Sequence, residues 1–367
     1  MPEVRRPFKM ELPEKLLRIA TAFDDAGYEL YVVGGAVRDA VMGTQPHDFD
    51  LATNATPVQV MEVMHGMSSW KADETGKSFG VIRAIHLEMK ELCEYEIATF
   101  REDMTAGRHP EVRFATIVED VQRRDLTINA LFYDVKREEI VDLVGGLQDI
   151  EARYIRAVGR PEDRFAEDRL RIMRAFRFAA RFDYLLDMTT EDAIRRDNSL
   201  EGISPERVRD EFVRSLASAK STNTLLNALD DFAMWRHVLP GLEVSNRKIY
   251  SSRSVPVVLA LLLMLNPAEL IARRLIELKY TAHEAAQVCF LLRFRARFDG
   301  HAYELRKAFQ RSGLTVEHLL EFEQEWPRHD SVSLPAFIRY ISHTPVKGDD
   351  LLAEGYSGKA LGMELER

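Results

Sequence analysis

Asp48-Phe49-Asp50 sets two carboxylates two positions apart. In a strand, side chains alternate between faces, so both acids project from one side while Phe49 points into the core. Two hard oxygen donors on one rigid face suit Mg²⁺, which takes carboxylates, waters and phosphate oxygens at ~2.0–2.1 Å. By itself Asp-x-Asp fits a solvated strand edge equally well. A second feature lies a little upstream. Gly34-Gly35 ends a strand and opens a helix, where the missing Cβ lets backbone N–H groups approach phosphate oxygens. Arg38, on the same short helix, would reach those phosphates as a cationic fork. The alternative is a plain glycine turn with Arg38 and Asp39 as solvated charges. The joint occurrence of glycine turn, Arg-Asp and Asp-x-Asp at short spacing disfavours it.

Gly34-Gly35-Ala36-Val37-Arg38-Asp39 followed by Asp48-Phe49-Asp50-Leu51-Ala52-Thr53 resembles the signature of the class II tRNA nucleotidyltransferase and bacterial poly(A) polymerase family. The resemblance implies a nucleotidyltransferase palm followed by a neck, body and tail made of helices. It implies that Asp48 and Asp50 bind the catalytic Mg²⁺ ions, and that Gly35 and Arg38, with Gly34 beside them, contact the incoming nucleotide. Two metals about 3.5–4 Å apart would activate an RNA 3′ hydroxyl and stabilise the leaving pyrophosphate. A third acidic group is usual in such sites. Glu96, in Glu96-Ile97-Ala98-Thr99-Phe100-Arg101, is the candidate because it sits on a nearby strand in a family-like context. An exposed structural glutamate is the competing reading.

Two further motifs extend the resemblance. Arg123-Arg124-Asp125-Leu126-Thr127-Ile128-Asn129-Ala130 matches the family's second motif. Guanidinium donors suit oxyanions, and a carboxylate with an amide suits sugar hydroxyls, so Arg123, Arg124, Asp125 and Asn129 are expected at phosphate and ribose. Without the first motif the segment would read as a basic helix start. Glu167-Asp168-Arg169-Leu170-Arg171 matches the family's Glu-Asp-x-x-Arg. On a continuous helix Asp168 and Arg171 are i,i+3 neighbours. A carboxylate accepts from an exocyclic amino group and a guanidinium donates to a ring acceptor, so the pair fits cytosine and adenine and opposes uracil and guanine. Couples of Glu167 with Arg171 and Arg164 with Asp168 would brace it. Arg174 and Arg177 continue the face, and the resemblance assigns both to nucleotide binding. An amphipathic helix with a solvated arginine face is the bland alternative.

These residues need elements to carry them. Leu12 to Ala26 has helical periodicity, with Leu16, Leu17, Ala20 and Phe23 on one face. Tyr28 to Val33 predicts a strand, Ala36 to Met42 a short helix, His47 to Ala52 a second strand and Pro57 to Met67 a helix. Strands follow around Val81 to Leu87 and Tyr95 to Phe100. From Ile150 onward the strand signal stops. Helices are expected over Arg164 to Ala180, Thr190 to Asp197, Pro205 to Ala219 and Ser221 to Asp231, with Ser204 as N-cap and Pro205 at the first helical position. The fold class is therefore α+β, with a mixed-sheet palm over residues 1–149, a helical neck over 150–215 and a helical body and tail over 216–367 that would bind RNA.

The 367 residues exceed one ordinary core, in keeping with several domains. Net charge is −9, which argues against a protein that simply coats nucleic acid, although arginines cluster between Arg153 and Arg181. Cys93 and Cys289 give neither metal-ligand spacing nor a disulfide framework, which fits a reducing cytoplasm. The first ten residues lack the apolar core of a secretory signal. The apolar run Val255 to Leu265 is too short to span a bilayer, so no membrane is expected, and no obligate protein partner is evident. The final Gly-Met-Glu-Leu-Glu-Arg reads as mid-helix, so the chain is expected to be shorter than the gene product.

The favoured function is joining CTP and ATP to the tRNA 3′ end. Poly(A) polymerase is the nearest rival, but Thr75-Gly76-Lys77-Ser78-Phe79-Gly80-Val81 stands where bacterial poly(A) polymerases carry a basic signature. The Arg101 to Pro110 stretch resembles the family's flexible loop in shortened form, which keeps an enzyme restricted to C,C or to the final A in view. Gly355 to Glu364 is faintly similar to a family tail segment. An inactive RNA-binding relative would not need the carboxylate pair. A small-molecule nucleotidyltransferase would not need Glu-Asp-x-x-Arg.

Overall fold

Leu30 to Val33 explain why the first half folds around one sheet. This strand is apolar at every position and buried on both faces, as a central strand must be. In the computed structural model, which describes residues 3–87, 93–105, 111–249, 252, 254–296, 302–327 and 333–342, the order is β1 (Val4–Pro7), α1 (Glu14–Asp25), β2 (Leu30–Val33), α2 (Gly35–Val41), β3 (Asp50–Thr53), α3 (Pro57–His65), β4 (Trp70–Asp73), β5 (Val81–His86), β6 (Glu94–Thr99), β7 (Arg101–Asp103), β8 (Val112–Phe114), α4 (Ile117–Gln122), β9 (Phe132–Asp134), β10 (Glu139–Asp142), α5 (Gly146–Ala152), α6 (Pro161–Glu167), α7 (Leu170–Phe182) and α8 (Met188–Arg196).

Eight strands form a mixed sheet in the order β1-β10-β9-β2-β3-β6-β5-β4. Its pairs are antiparallel except β3 with β6, which run parallel. One face carries Leu30, Val32, Leu51, Ile97, Tyr133 and Ile140 against α1, α2 and α3. The other carries Tyr31, Val33, Ala52, Phe100, Phe132 and Val141. On α1 the buried stripe is Leu16, Ile19 and Phe23, while Leu17 is exposed, so the expected face is turned slightly. The capping box of Thr56 with Gln59 starts α3 beside Pro57.

The region after residue 150 departs from the expectation in two places. A two-residue parallel pair, Tyr154–Ile155 with Leu185–Leu186, lies within the segment expected to be wholly helical. The single helix expected over 164–180 is two, because Asp168 is extended (φ −153°, ψ 103°) and separates α6 from α7. Pro161 starts α6, which leaves only two turns before that break.

The chain divides into two compact units, Met1–Gly202 and Ile203–Arg367. The expected neck, 150–215, is therefore shared between them. The second unit is helical throughout its described residues: α9 (Pro205–Ser218), α10 (Thr222–Asp231), α11 (Trp235–Val238), α12 (Val255–Leu263), α13 (Ala268–Glu277), α14 (Ala282–Ala296), α15 (Ala302–Ser312), α16 (Val316–Glu325) and α17 (Ser333–Ser342). Ser204 caps α9 by accepting from the Arg207 N–H, as its position predicts. The apolar helix α12 is buried in this unit, and among the described residues no helix is long and apolar enough to cross a membrane. The end of the shortened loop (106–110) and the tail-like segment at 355–364 lie outside the described residues.

Candidate active site

The carboxylate pair stands where β3 begins. Val33 of β2 pairs with Asp50, and both belong to the sheet face that carries Ala52. Phe49 packs into the opposite core together with Leu51, so Asp48 and Asp50 are turned away from it, as the alternation requires. Asp48 precedes the strand rather than lying in it. Both aspartates are exposed, and among the described residues neither has an ion-pair or side-chain hydrogen-bond partner. Asp50 keeps an open surface, yet the protein crowded around its carboxyl desolvates it and holds its pKa above the ordinary value. Arg124 opposes that shift and the Asp48 charge adds to it.

Glu96 shares the face but not the pair. The parallel register Leu51↔Ile97 sets it beside Asp50, and it is exposed. Its antiparallel neighbour on β5 is Arg83. No three acidic, histidine or cysteine side chains among the described residues gather into a metal-holding group. The strand register sets Glu96 alongside the pair on the same face.

At the glycine turn, Gly34 adopts φ +69° and ψ −123°, a region that side chains rarely enter. Its N–H donates to the Leu131 carbonyl at 3.0 Å. Arg38 can offer its donors little to solvent: the residue is only 3% exposed. Nε donates to Asp39 Oδ1 at 2.8 Å and Nη1 donates to Asn129 Oδ1 at 2.5 Å. The guanidinium lies over the rings of Phe178 and Phe182, at 5.2 and 4.9 Å. Burial pulls its pKa down while Asp39 holds it up. Arg38 is therefore a buried strut, which corrects its reading as an open phosphate fork. The reason is visible in α7, whose phenylalanines cover it.

The second motif ends a helix instead of starting one. Arg123 is the C-cap of α4, and Thr127–Asn129 form one turn of 3₁₀ helix. Asp120, buried in α4, accepts from both arginines: Arg123 at 2.9 and 2.7 Å through Oδ1, Arg124 at 3.2 and 3.0 Å through Oδ2. Arg124 Nη1 stands 3.7 Å from where a Gly34 Cβ would be, and its guanidinium caps the Phe132 ring at 4.6 Å. Asp125 accepts from Arg174 Nε at 2.7 Å, from the Leu126 N–H at 2.8 Å and from Asn129 Nδ2 at 3.3 Å. Burial works against the charged form of Asp125, but Arg174, the Leu126 N–H and Asn129 together outweigh it and the pKa is lowered. A continuous chain of contacts, Arg38–Asn129–Asp125–Arg174, thus joins α2, the 3₁₀ turn and α7.

The third motif is also rearranged. Asp168 is not on a helix face. It closes α6, and its Oδ1 accepts from the Leu170 N–H at 3.2 Å. The expected i,i+4 pair of Glu167 with Arg171 is present at 2.6 Å. Arg164 bonds Glu167 at 2.5 Å and the Gln122 carbonyl. Arg171 also donates to the carbonyls of Arg123 at 2.8 Å and Arg164 at 3.2 Å, which ties the second and third motifs together. Arg177 lies over Phe178 at 4.2 Å and Arg181 bonds Asp39 at 3.5 Å. Sequence reasoning passed over Asp120 and Phe182, and gave Phe178 only as part of the apolar side of its helix. For Asp120 the signal was present, since it stands three and four residues before the two arginines on one helix.

Residues 30–156 match the family described as the poly A polymerase head domain, and residues 183–245 match the probable RNA and SrmB-binding site of polymerase A. The CCA-adding enzyme of Lactobacillus helveticus is 34% identical over 328 residues, 83% of this chain and 79% of the relative. The chain belongs to the CCA-adding enzyme family. The CCA-adding enzyme of Ligilactobacillus salivarius is 39% identical over 222 residues, 59% of this chain, and the match spans only 52% of that relative's length. Among solved structures, the Bacillus stearothermophilus CCA-adding enzyme in complex with CTP superposes with a TM-score of 0.72 at 26% identity, covering 97% of this chain and 92% of that one.

Proposed function

We propose that this chain is a nucleotidyltransferase that adds C and A residues to the tRNA 3′ end, using CTP and ATP and releasing pyrophosphate. The observation that carries the reading is the convergence at one sheet edge. The carboxylate pair makes no ion pair among the described residues, Arg124 acts on Asp50 only through space, and Arg124 also stands at the Gly34-Gly35 turn. Two outward carboxylates that close no ion pair of their own are a donor set that a hard divalent cation fits. Asp48 and Asp50 would hold it, and Mg²⁺ bound there, as a pair of ions, supplies activation of the RNA 3′ hydroxyl and charge stabilisation of the leaving group.

The remaining groups position the substrates. The first turn of α2, from Gly35 onward, would offer backbone N–H groups to incoming phosphate, and Arg123 and Arg124 would add positive charge. Asp125 and Asn129 offer an acceptor and an amide to ribose hydroxyls. Asp168 and Arg171 read the base, with Arg171 exchanging main-chain carbonyls for the ring acceptor of cytosine or adenine. Arg174 and Arg177 present α7's cationic face to the nucleotide, and Glu96 adds negative potential to the face that holds the pair. Arg38 acts through Asn129. RNA would be held by the helices of 216–367, and the free Cys93 and Cys289 suit a cytoplasmic enzyme.

Incubation of the full chain with labelled CTP and ATP and a tRNA lacking its 3′ end tests this reading. A defined short extension containing both nucleotides supports it. A long adenosine ladder moves the function to poly(A) synthesis, refusal of one nucleotide moves it to a restricted enzyme, and no incorporation overturns it.

A further inference from the structure

Asp120 lies just before the second motif and anchors both of its arginines. It is 1% exposed and sits on α4, which Thr116 and Glu119 start with a capping box. Each of its oxygens takes a different guanidinium side-on, Arg123 on Oδ1 and Arg124 on Oδ2. Oδ1 also accepts the Arg101 backbone N–H at 3.2 Å, and Arg123 Nε donates to the Arg101 carbonyl at 3.2 Å. Arg101 opens β7, the strand from which the shortened loop departs.

The geometry aims the pair outward from this anchor. One buried carboxylate holds two adjacent guanidiniums, with Asp125 also favouring the charged form of Arg124 and Arg123 disfavouring it. Arg124 is directed at the Gly34 turn, where its Nη1 comes within 3.7 Å of the position a Cβ would take. The same residue acts on Asp50 through space. The Arg123 carbonyl, fixed by the same anchor, receives Arg171 at 2.8 Å.

We infer that Asp120 is a positioning residue for nucleotide transfer: its buried carboxylate holds Arg123 and Arg124 in fixed divergent orientations toward the triphosphate and ties them to the base of the β7–β8 hairpin. This inference rests on the nucleotidyltransferase reading. Losing the anchor frees two charged donors that contact substrate, and charged hydrogen bonds of this kind correspond to roughly tenfold to hundredfold in affinity each.

The test uses the full-length protein, wild type beside Asp120→Asn and Asp120→Glu, in single-nucleotide addition to a truncated tRNA with a thermal melt of each sample. Asp120→Asn is expected to raise KM for CTP by about ten- to a hundredfold with a much smaller change in kcat. Asp120→Glu keeps the buried charge but displaces it by one methylene. It should show the same KM-selective defect with a melt near wild type, and it decides the matter if the Asn variant does not fold. A folded variant with lowered Tm but wild-type KM would make Asp120 merely structural and overturn the proposal alone. A wild-type protein that incorporates no nucleotide would overturn the functional reading and this proposal with it.

Discussion

Replacing Arg38 distinguishes a buried strut from an exposed phosphate ligand. Arg38→Ala leaves Asp39 and Asn129 without the donor they now share, and removes the cation between Phe178 and Phe182. A charged hydrogen bond contributes about 1.5–3 kcal/mol and a desolvated cation–π contact about 0.5–2 kcal/mol. These terms overlap, and breaking a buried charged pair costs about 3–5 kcal/mol in all. In a unit the size of Met1–Gly202 each kcal/mol shifts Tm by roughly 2–4 °C, so the variant should melt about 6–20 °C lower. Circular dichroism or calorimetry at neutral pH reads this directly. Arg38→Lys should fall between, because an ammonium cannot fork or stack like a guanidinium. A melt equal to wild type, accompanied by a raised KM for CTP, would refute the strut and restore the open fork.

Three other perturbations follow from the same contacts. Gly146→Ala would put a Cβ 2.3 Å from the Thr127 carbonyl oxygen, so the turn that carries Asn129 must move; a loss of about 1–3 kcal/mol in denaturant melts is expected. Asp120 and Asp125 have folded pKa values below their unfolded ones, so their contribution is present above the unfolded carboxylate value of about 3.9 and disappears as pH falls through the lower folded value. Wild type should therefore lose stability more steeply below about pH 4 than Asp125→Asn does, in melts across a pH series. Asp168→Ala should narrow the preference for C and A over U and G by about ten- to a hundredfold in single-nucleotide addition with all four triphosphates. An unchanged ranking in a folded variant would leave Asp168 as a helix-junction brace.

The catalytic face was legible because its signals are local. Alternation in Asp48-Phe49-Asp50 and the glycines before a helix each depend on a few neighbouring residues, and the strand β3 and helix α2 follow them. The orientation of Arg38 was not legible, because its burial comes from Phe178 and Phe182, far along the chain. The break at Asp168 escaped notice for a different reason. Helical periodicity continues across it, and only the extended backbone of Asp168 shows that α6 ends before α7 begins. The edge strand β1 was missed because its four residues are mostly exposed and pair with β10, which is distant in sequence. Glu96 was legible only as far as its strand and face, which the parallel register with β3 now places beside Asp50.

The most direct measurement is single-turnover addition of CMP to a tRNA lacking its 3′ end by wild type, Asp48→Asn and Asp50→Asn, each shown to be folded by its melt. Transfer that depends on this carboxylate pair predicts that wild type extends the RNA and that either variant loses at least about a thousandfold in rate with its fold intact, since the carboxylates would stabilise charge in the transition state and neither has a side-chain partner among the described residues. Extension by either folded variant at close to the wild-type rate would contradict it.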